Sequence, residues 1–397
     1  MSFKKYFPLF ANNPWLIYFD NAATTQKPDY VIDGVSEYMK NDYANIHRWF
    51  YSLSEKSEIL YEKSKEIVAK YIWWNKDELI YTYNSTYWVN IFANSIARSG
   101  LLKAWDKVLL TIVEHHANIV PWLILKEDIW IEVEFVIVKN FDIDREDFQK
   151  KYDDKVKVIA ATYVSNVTWT IFDLEKLWKL KRDDTLFLVD ASQAIPNFQV
   201  DVKKLNCQAM VFTGHKVMAY TWIWVLWIKD SILKKIKPSL WWWWTVKQVR
   251  KDSFDFLDNS QAFEAWTPNL VWAVSLLKAF EFIEKIWWYE KIWEKEQELT
   301  KYALSKFLEL WDSITLIWKK TYENRVWVFS FVLKNNVSSI RLWEYMSIDN
   351  ICIRCGWHCA HPLHEELWFK WTCRLSLYIY NDKEEIDRFF EVLKKYL

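Results

Sequence analysis

Glycine is the residue that this sequence most lacks: its 397 residues include only 4 glycines, far below the average usage of about 7%. Net charge is missing too, because 52 Lys and Arg balance 52 Asp and Glu. This balance removes the electrostatic case for a nucleic-acid or acidic-membrane partner. The longest apolar run, residues 219–228, is far too short to span a bilayer, so we expect no membrane partner.

Cysteine is also scarce, and the start of the chain carries no secretory pattern. Five cysteines, an odd number, do not suit a disulfide framework. Residues 1–10 lack the apolar stretch and the small-residue cleavage site of a signal peptide. A reducing, cytoplasmic compartment is therefore the expectation.

Tryptophan, in contrast to glycine, is abundant. The sequence has 29 tryptophans, which include the run at 241–244 and the pairs at 73–74 and 287–288. Such turn positions call for positive φ or close backbone approach, which glycine permits and tryptophan does not. A genuine four-tryptophan turn would expose a large apolar patch. We interpret most of these tryptophans as glycines, encoded by a UGA codon that means Gly in the source lineage. Trp122 is the best candidate for a genuine tryptophan.

Short apolar runs alternate with helical patterns from residue 79 to residue 228, which predicts an α/β layer fold. Most runs are rich in Val, Ile and Leu, as in strands that are buried on both faces of a sheet. The seven runs span residues 79–83, 107–112, 131–138, 155–162, 185–190, 208–213 and 223–228. A helical pattern over 273–310 leads into a second domain, and Asn381 with Glu384 has the spacing of a capping box that begins a last helix.

Polar residues follow four of the predicted strands. They are His115, Asn166, Asp190 and the segment 213–216, which ends in Lys216. In open α/β sheets, ligands bind beyond the carboxyl ends of the strands. The convergence of these groups on one crevice predicts a binding site there.

The chemistry of the single residues leaves alternatives open. Asp190 is the last residue of an apolar strand, and its buried carboxylate is a fitting partner for a protonated pyridine nitrogen. A role as a structural cap is an equally good interpretation. Lys216 is either a surface lysine or a Schiff-base lysine, and its place after a buried strand favours the second. Ser85 and Thr86 suit a phosphate-binding turn at a helix start. For His115, we favour a role in stacking or acid/base catalysis over the alternative that His115 and His116 together bind a metal ion.

A cluster of cysteines and histidines near the C-terminus suggests either zinc or a catalytic thiol. The spacing of Cys352, Cys355 and Cys359 lacks a distant second half, so we favour a catalytic thiol and predict no metal. Arg354 and Arg374 suit a forked grip on a carboxylate, or else are surface ion-pair residues.

Taken together, these segments resemble cysteine desulfurases of the SufS type, which are class V aminotransferase-like enzymes. The matching segments, in family order from about residue 16 to the C-terminus, are 18–24 (YFDNAAT), 114–122 (EHHANIVPW), 164–167 (VSNV), 190–194 (DASQA), 213–216 (TGHK), 263–269 (FEAWTPN) and Arg354 with 358–360 (HCA). The family has glycine where this chain has Trp169, Trp222, Trp224, Trp266 and Trp371.

The resemblance implies a fold type I homodimer that uses pyridoxal 5'-phosphate. A large cofactor-binding domain would span 16–265, with a mostly parallel seven-stranded sheet. A smaller α+β domain would span 266–397, and residues 1–15 would pack near it.

The resemblance also implies the roles of single residues. Lys216 would hold the cofactor, Asp190 would keep its pyridine nitrogen protonated, and the cofactor ring would stack on His115. Cys359 would accept the sulfur, helped by nearby cationic or donor groups such as His358. The remaining matches are Asn166 and Gln193 at the phenolic oxygen, Ser85, Thr86, Thr213 and His215 at the phosphate, Thr267 at the partner subunit's phosphate, and Arg354 and Arg374 at the substrate carboxylate.

The implied function is the conversion of L-cysteine to L-alanine, with a persulfide on Cys359 that supplies iron–sulfur cluster assembly. The sulfur would pass to an acceptor protein of the SufE or SufU kind and then to an iron–sulfur scaffold. A selenocysteine lyase shares the same fold and residues and is the alternative. If the tryptophans are literal, the expected product is an inactive or misfolded chain, because they would overfill the pocket.

Overall fold

The computed structural model describes residues 3–46, 51–83, 85–240, 245–265, 267–286, 289–317, 320–335 and 337–397. The side chains of Ser85 and Thr86 lie outside the described part of the chain, as do Trp266 and the run at 241–244.

The strands are β1 (Ile17–Tyr18), β2 (Leu79–Thr82), β3 (Lys107–Thr111), β4 (Glu132–Val136), β5 (Val138–Lys139), β6 (Asp142–Ile143), β7 (Val156–Thr162), β8 (Leu186–Asp190), β9 (Ala209–Thr213), β10 (Trp224–Ile228), β11 (Val246–Val249), β12 (Phe254–Phe256), β13 (Ile314–Leu316), β14 (Val328–Leu333), β15 (Ile351–Cys352), β16 (Arg354–Gly356) and β17 (Thr372–Ser376).

The α-helices surround these strands, and the described ones longer than one turn are mostly amphipathic. They are α1 (Pro8–Asn12), α2 (Asp29–Asn41), α3 (Ser52–Tyr71), α4 (Ser85–Arg98), α5 (Val120–Ile129), α6 (Arg145–Lys151), α7 (Glu175–Trp178), α8 (Val202–Leu205), α9 (Asp230–Leu233), α10 (Leu270–Ile286), α11 (Tyr289–Glu309), α12 (Ser339–Ile348), α13 (His361–Glu366) and α14 (Lys383–Lys394). None of the described helices is both long enough and apolar enough to cross a membrane.

A seven-stranded sheet forms the centre of the larger layer, in the order β2-β10-β9-β8-β7-β3-β4. The β3, β4, β7, β8 and β9 neighbours pair in parallel, whereas β10 runs antiparallel to both β9 and β2. All residues of β3, β8, β9 and β10 are buried, because helices cover both faces. The predicted α/β class and the mostly parallel seven-stranded sheet are confirmed.

A second sheet of four antiparallel strands lies in the C-terminal part of the chain, in the order β13-β14-β17-β16. α12 packs against β16 and β17, and α14 against α11 and α12. The capping box of α14 is formed by Asp382 and Glu385. The prediction of Asn381 and Glu384 was therefore wrong by one residue.

The N-terminal segment packs against residues close to the C-terminus. The Phe7 and Phe10 rings lie 4.6 and 4.9 Å from the Tyr380 ring, and Lys4 forms an ion pair with Glu385. β1 continues this connection, since it pairs in parallel with β15. The two ends of the chain are thus joined beside the second sheet.

Several tryptophans have a backbone conformation that suits glycine. Left-handed φ values occur at Trp73, Trp105, Trp130, Trp169, Trp222 and Trp368. For an L-residue with a side chain this conformation costs about 1–2 kcal/mol, and only glycine visits it freely. Glycine, the residue that this sequence most lacks, would adopt the same conformation without that cost.

Candidate active site

One cavity lies beyond the carboxyl ends of the central strands. Nine of the predicted site residues line it: His115, Asn166, Asp190, Gln193, Thr213, His215, Lys216, Arg354 and Arg374. Asp190 is the last residue of β8 and Thr213 the last of β9, so the parallel register brings both to the same edge. The convergence expected at the strand ends is therefore present in the structure.

Lys216 reaches the cavity because the chain turns sharply after β9. Gly214 begins a 3₁₀ turn there, and a Cβ on Gly214 would lie 2.6 Å from the Ile223 side chain. Burial lowers the pKa of Lys216 to about 8, although Asp190 opposes this effect. About a tenth of the amine is therefore neutral and nucleophilic at pH 7, far more than for an ordinary lysine.

His115 forms one wall of the cavity and is held as a neutral ring. Its Nδ1 accepts a hydrogen bond from the Ala117 amide at 3.1 Å. Burial, and then the nearby charge of Lys216, lowers the pKa of His115 to about 3. A neutral, flat imidazole at this position suits stacking against an aromatic ligand.

The loop of His115 is anchored by Glu114, which the sequence reasoning did not single out. The Glu114 carboxyl is fully buried and accepts hydrogen bonds from Asn118 Nδ2 and the Thr162 amide, both at 2.7 Å. Burial raises the pKa of Glu114 to about 8. No sequence signal distinguishes this glutamate, because its burial depends on the sheet packed around it.

Two polar atoms at the floor of the cavity are buried without hydrogen-bond partners among the described residues. They are Thr213 Oγ1 and His215 Nδ1. Burial lowers the pKa of His215 to about 3 and the pKa of nearby Lys27 to about 7. Lys27 Nζ donates to the His215 carbonyl at 3.3 Å, and it is a second residue that the sequence reasoning missed. Buried donors without partners suit an anionic group such as a phosphate.

Trp224 occupies the same floor. Its side chain lines the cavity beside Thr213, its partner across β9 and β10, and its ring lies 5.4 Å from that of His215. The indole Nε1 is buried and finds no partner among the described residues. Space that a ligand would need near His215 is therefore filled by an indole.

The two arginines lie opposite each other on β16 and β17. Arg374 is buried and pairs with Asp20 at 3.0 Å, and its Nη1 donates to the Asn166 carbonyl at 3.2 Å. Arg354 is half-buried, and its Nη2 lies 4.0 Å from Cys359 Sγ. The guanidinium of Arg354 is thus the cation beside the predicted nucleophile.

Cys359 lies in a tight loop beside this arginine. Both His358 and Cys359 have left-handed φ values, 49° and 57°. The loop is held by hydrogen bonds from Asn166 Nδ2 to the His358 carbonyl, 2.6 Å, and from the His116 amide to the Cys359 carbonyl, 2.8 Å.

His358 was expected to act on the thiol as a cation or donor. Instead burial holds the pKa of His358 well below its usual range, and its Nε2 contacts Thr372 Oγ1 at 3.0 Å. Cationic help for Cys359 therefore comes from Arg354.

Four predicted residues are not among those that line this cavity. Thr267 is exposed and is not among the lining residues, and Cys359 stands beside the cavity without being part of its wall. The side chains of Ser85 and Thr86 lie outside the described residues. No set of three or more His, Cys, Asp or Glu in the described ranges is arranged to hold a metal ion.

Comparison with known proteins agrees with this architecture. The profile described as Aminotransferase class-V matches residues 17–389. The chain belongs to the class V aminotransferase family. The class V part of the predicted family is thereby confirmed.

Three proteins that match over nearly the whole chain are described as cysteine desulfurases. The chain is 33% identical to a probable cysteine desulfurase from Borreliella burgdorferi, with 97% of this chain and 92% of the relative covered. A probable cysteine desulfurase from Ureaplasma parvum is 30% identical, with 99% and 97% covered. An apo cysteine desulfurase structure from Thermococcus onnurineus superposes with a TM-score of 0.93 at 30% identity, over 99% of this chain and 96% of that one.

Proposed function

We propose that this protein is a cysteine desulfurase that uses pyridoxal 5'-phosphate, converts L-cysteine to L-alanine and holds the sulfur as a persulfide on Cys359. The observation that carries the proposal is the approach of Arg354 Nη2 to Cys359 Sγ, at 4.0 Å, beside a cavity that contains Lys216 and Asp190. A carboxylate bound by Arg354 would place the rest of a small amino acid between the thiol and the lysine.

With glycine in place of Trp224, the residues at the cavity suit pyridoxal 5'-phosphate. The buried carboxylate of Asp190 would face the pyridinium, and Lys216 would bind the aldehyde carbon. Thr213 Oγ1 and His215 Nδ1, both buried without described partners, would meet phosphate oxygens. When bound, the cofactor supplies an electron sink that acidifies the α-proton of an amino acid.

The protein's own groups then have defined tasks. Lys216, with a pKa lowered to about 8, moves the α-proton as a neutral amine. His115, Asn166 and Gln193 would hold the cofactor ring, and Arg354 and Arg374 would orient the substrate carboxylate.

The chemical step at sulfur belongs to Cys359. Its thiolate, which Arg354 Nη2 approaches, attacks the sulfur of the bound cysteine. An S–S bond forms and the substrate's C–S bond breaks, and its electron pair remains with the carbon skeleton, which takes up a proton. Free L-cysteine and the Cys359 thiol thus become L-alanine and a Cys359 persulfide, with atoms and electrons balanced.

The proposal includes the reading of most tryptophans as glycines. Six tryptophans with left-handed φ support it, as does Trp224, whose indole lies among the groups assigned to the phosphate. Codon sequences, or peptide masses from the source cell, at Trp169, Trp222 and Trp224 test this directly. Tryptophan masses at these positions would contradict it, and we would then expect weak cofactor binding.

Further parts of the proposal concern the assembly and its partners. We infer a SufS-type homodimer in a reducing cytoplasm, which passes sulfur through a SufE- or SufU-like acceptor to iron–sulfur cluster assembly. Thr267 is exposed and does not line this chain's own cavity, which supports a role at a partner subunit's phosphate. A large domain at 16–265 and a small one at 266–397 accord with the separate locations of the two sheets.

The test measures alanine release from L-cysteine by the cofactor-loaded protein with glycine at the recoded positions. We expect Cys359→Ala to abolish release while the visible absorbance of the bound cofactor stays unchanged. Cys352→Ala, a change at another half-buried cysteine, is the matched control and should keep full activity. Undiminished release by the Cys359→Ala protein would refute the assigned nucleophile, and faster turnover of selenocysteine than of cysteine would indicate a selenocysteine lyase.

A further inference from the structure

Two cysteines face each other across the antiparallel strands that carry the two arginines. Cys355 on β16 is the direct register partner of Cys373 on β17. Their sulfur atoms lie 2.8 Å apart, well inside ordinary van der Waals contact. Directly opposed residues in such a pair have Cα atoms about 4.5–5.5 Å apart, a separation at which disulfides form.

The two thiols lie on the face of β16 and β17 opposite to the two arginines. Arg354 and Arg374 are the neighbouring register pair, and successive side chains on a strand point to opposite faces. The arginines line the cavity, whereas Cys373 Sγ contacts the Ser339 carbonyl of α12 at 3.5 Å. The thiol pair therefore belongs to the face of the small sheet that packs on α12.

We propose that Cys355 and Cys373 form a redox-active dithiol, which a peroxide oxidises to a disulfide that fastens β16 to β17. One sulfur attacks the peroxide and becomes a sulfenic acid as one water leaves. The second thiol then displaces the hydroxyl as another water. Overall two S–H bonds break and one S–S bond forms, while the peroxide takes up two electrons and two protons.

Access and protonation decide how fast this oxidation runs. Cys373 is only 1% exposed, whereas Cys355 is half-buried, so the peroxide meets Cys355 first. The contact with Cys373, and then burial, raises the pKa of Cys355. Because the thiolate is the reactive form, oxidation should be slow at neutral pH and faster as the pH rises.

The arrangement argues against Cys359 as the oxidation partner. Cys359 lies beside Arg354, on the cavity side of β16, whereas both sulfur atoms of the pair lie on the other side. For Cys355 or Cys373 to form a disulfide with Cys359, its strand would have to rotate so that its side chains exchange faces. The disulfide would instead fix the spacing of the two strands without entering the cavity.

The experiment maps disulfides by mass after tryptic digestion of the cofactor-loaded protein, with and without hydrogen peroxide. Trypsin cuts after Arg354, Lys370 and Arg374, so Cys373 falls in the peptide 371–374 and Cys355 in the peptide 355–370. We expect these peptides to become linked, with a mass lower by two hydrogens than their sum, and the link to form faster at pH 9 than at pH 7. Reduction should release both. This mapping needs no variant, so a folding defect cannot obscure it.

Serine variants separate the partners, because the peptide 355–370 also contains Cys359. Cys359→Ser and the control Cys352→Ser should keep the link, and Cys355→Ser should lose it. The oxidised protein should also unfold at a Tm about 2 °C or more above the reduced protein. Peptides that stay unlinked under peroxide, or a link that survives Cys355→Ser and disappears in Cys359→Ser, would overturn the proposal. None of these readouts depends on alanine release, so failure here is distinguishable from failure of the proposed desulfurase activity.

Discussion

His361 Nδ1 lies 2.9 Å from His116 Nε2, and the two rings stack with centroids 4.7 Å apart. His361 begins α13, two residues after Cys359, and His116 directly follows the cavity residue His115. The contact therefore joins the loop of the predicted nucleophile to the loop of the stacking histidine. A hydrogen bond between two imidazoles requires that at least one of them be neutral.

Removal of this contact should slow the sulfur step. We expect His361→Ala to lower kcat for alanine release about three- to tenfold, because the Cys359 loop loses one of its attachments. A double-mutant cycle with His116→Ala measures the coupling of the two rings: His116→Ala should cost less in the His361→Ala background, where only the His361 amide still donates to His116 Nε2, at 3.1 Å. Full additivity of the two effects would show that the contact does not position Cys359.

Acid should weaken the same contact. Burial, and then the charge of His361, lowers the pKa of His116, so the neutral form is favoured in the folded protein. As the pH falls through this lowered value, protonation of His116 removes the Nε2 lone pair that faces the His361 amide and Nδ1, so the contact weakens. We therefore expect the acid limb of the kcat profile to be steeper in the unmodified protein than in His361→Ala. Identical limbs would contradict this.

The two arginines should respond differently to substitution. Arg354 is half-buried and free to bind a ligand, so Arg354→Ala should raise KM for cysteine about 10- to 100-fold with little change in Tm. Arg374 is buried and paired with the partly exposed Asp20, so Arg374→Ala removes a buried side chain and its ion pair and should lower Tm clearly more than Arg354→Ala does. Initial rates and thermal unfolding of both variants distinguish these outcomes. Equal losses of stability would contradict the assignment.

Glu114 should make the protein less stable as the pH rises. Its pKa is raised from 4.5 to about 8, so between these values the folded state holds a proton that the unfolded state releases. Stability is then fully present below pH 4.5 and is lost toward pH 8, by up to about 1.4 kcal/mol per pH unit. Tm measured from pH 5 to pH 8 should fall less steeply in Glu114→Gln. The exposed Glu37 is the control, and Glu37→Gln should retain the original slope.

The central sheet was predictable because its strands are continuous apolar runs. β8 and β9 begin within one residue of the predicted runs, and both end where those runs end. Their polar last residues, Asp190 and Thr213, indicated the site edge because parallel strands share one carboxyl end. Sequence pattern therefore predicted the fold and most of the cavity wall.

Features that depend on packing were not predictable in this way. Asn381 with Glu384 and Asp382 with Glu385 have the same spacing, and the second pair caps α14 because Asn381 Nδ2 donates to the Tyr18 carbonyl at 3.1 Å. The burial of Lys27 follows from contacts between segments distant in the sequence. Such choices are made by tertiary contacts, which local pattern does not contain.

The tryptophan question can be settled thermodynamically with one matched pair of substitutions. Trp222 is 57% exposed with φ 72°, so Trp222→Gly relieves a left-handed backbone and removes little buried surface. We expect a gain of about 1 kcal/mol in the free energy of unfolding. Trp122 is fully buried within α5, and Trp122→Gly should cost about 3–5 kcal/mol or more, because a large core side chain is lost from a helix. Denaturant unfolding of both variants provides the comparison. A loss of stability in Trp222→Gly as large as that in Trp122→Gly would mean that the folded chain has adapted to tryptophan at its turns, and the glycine interpretation would then have to be abandoned.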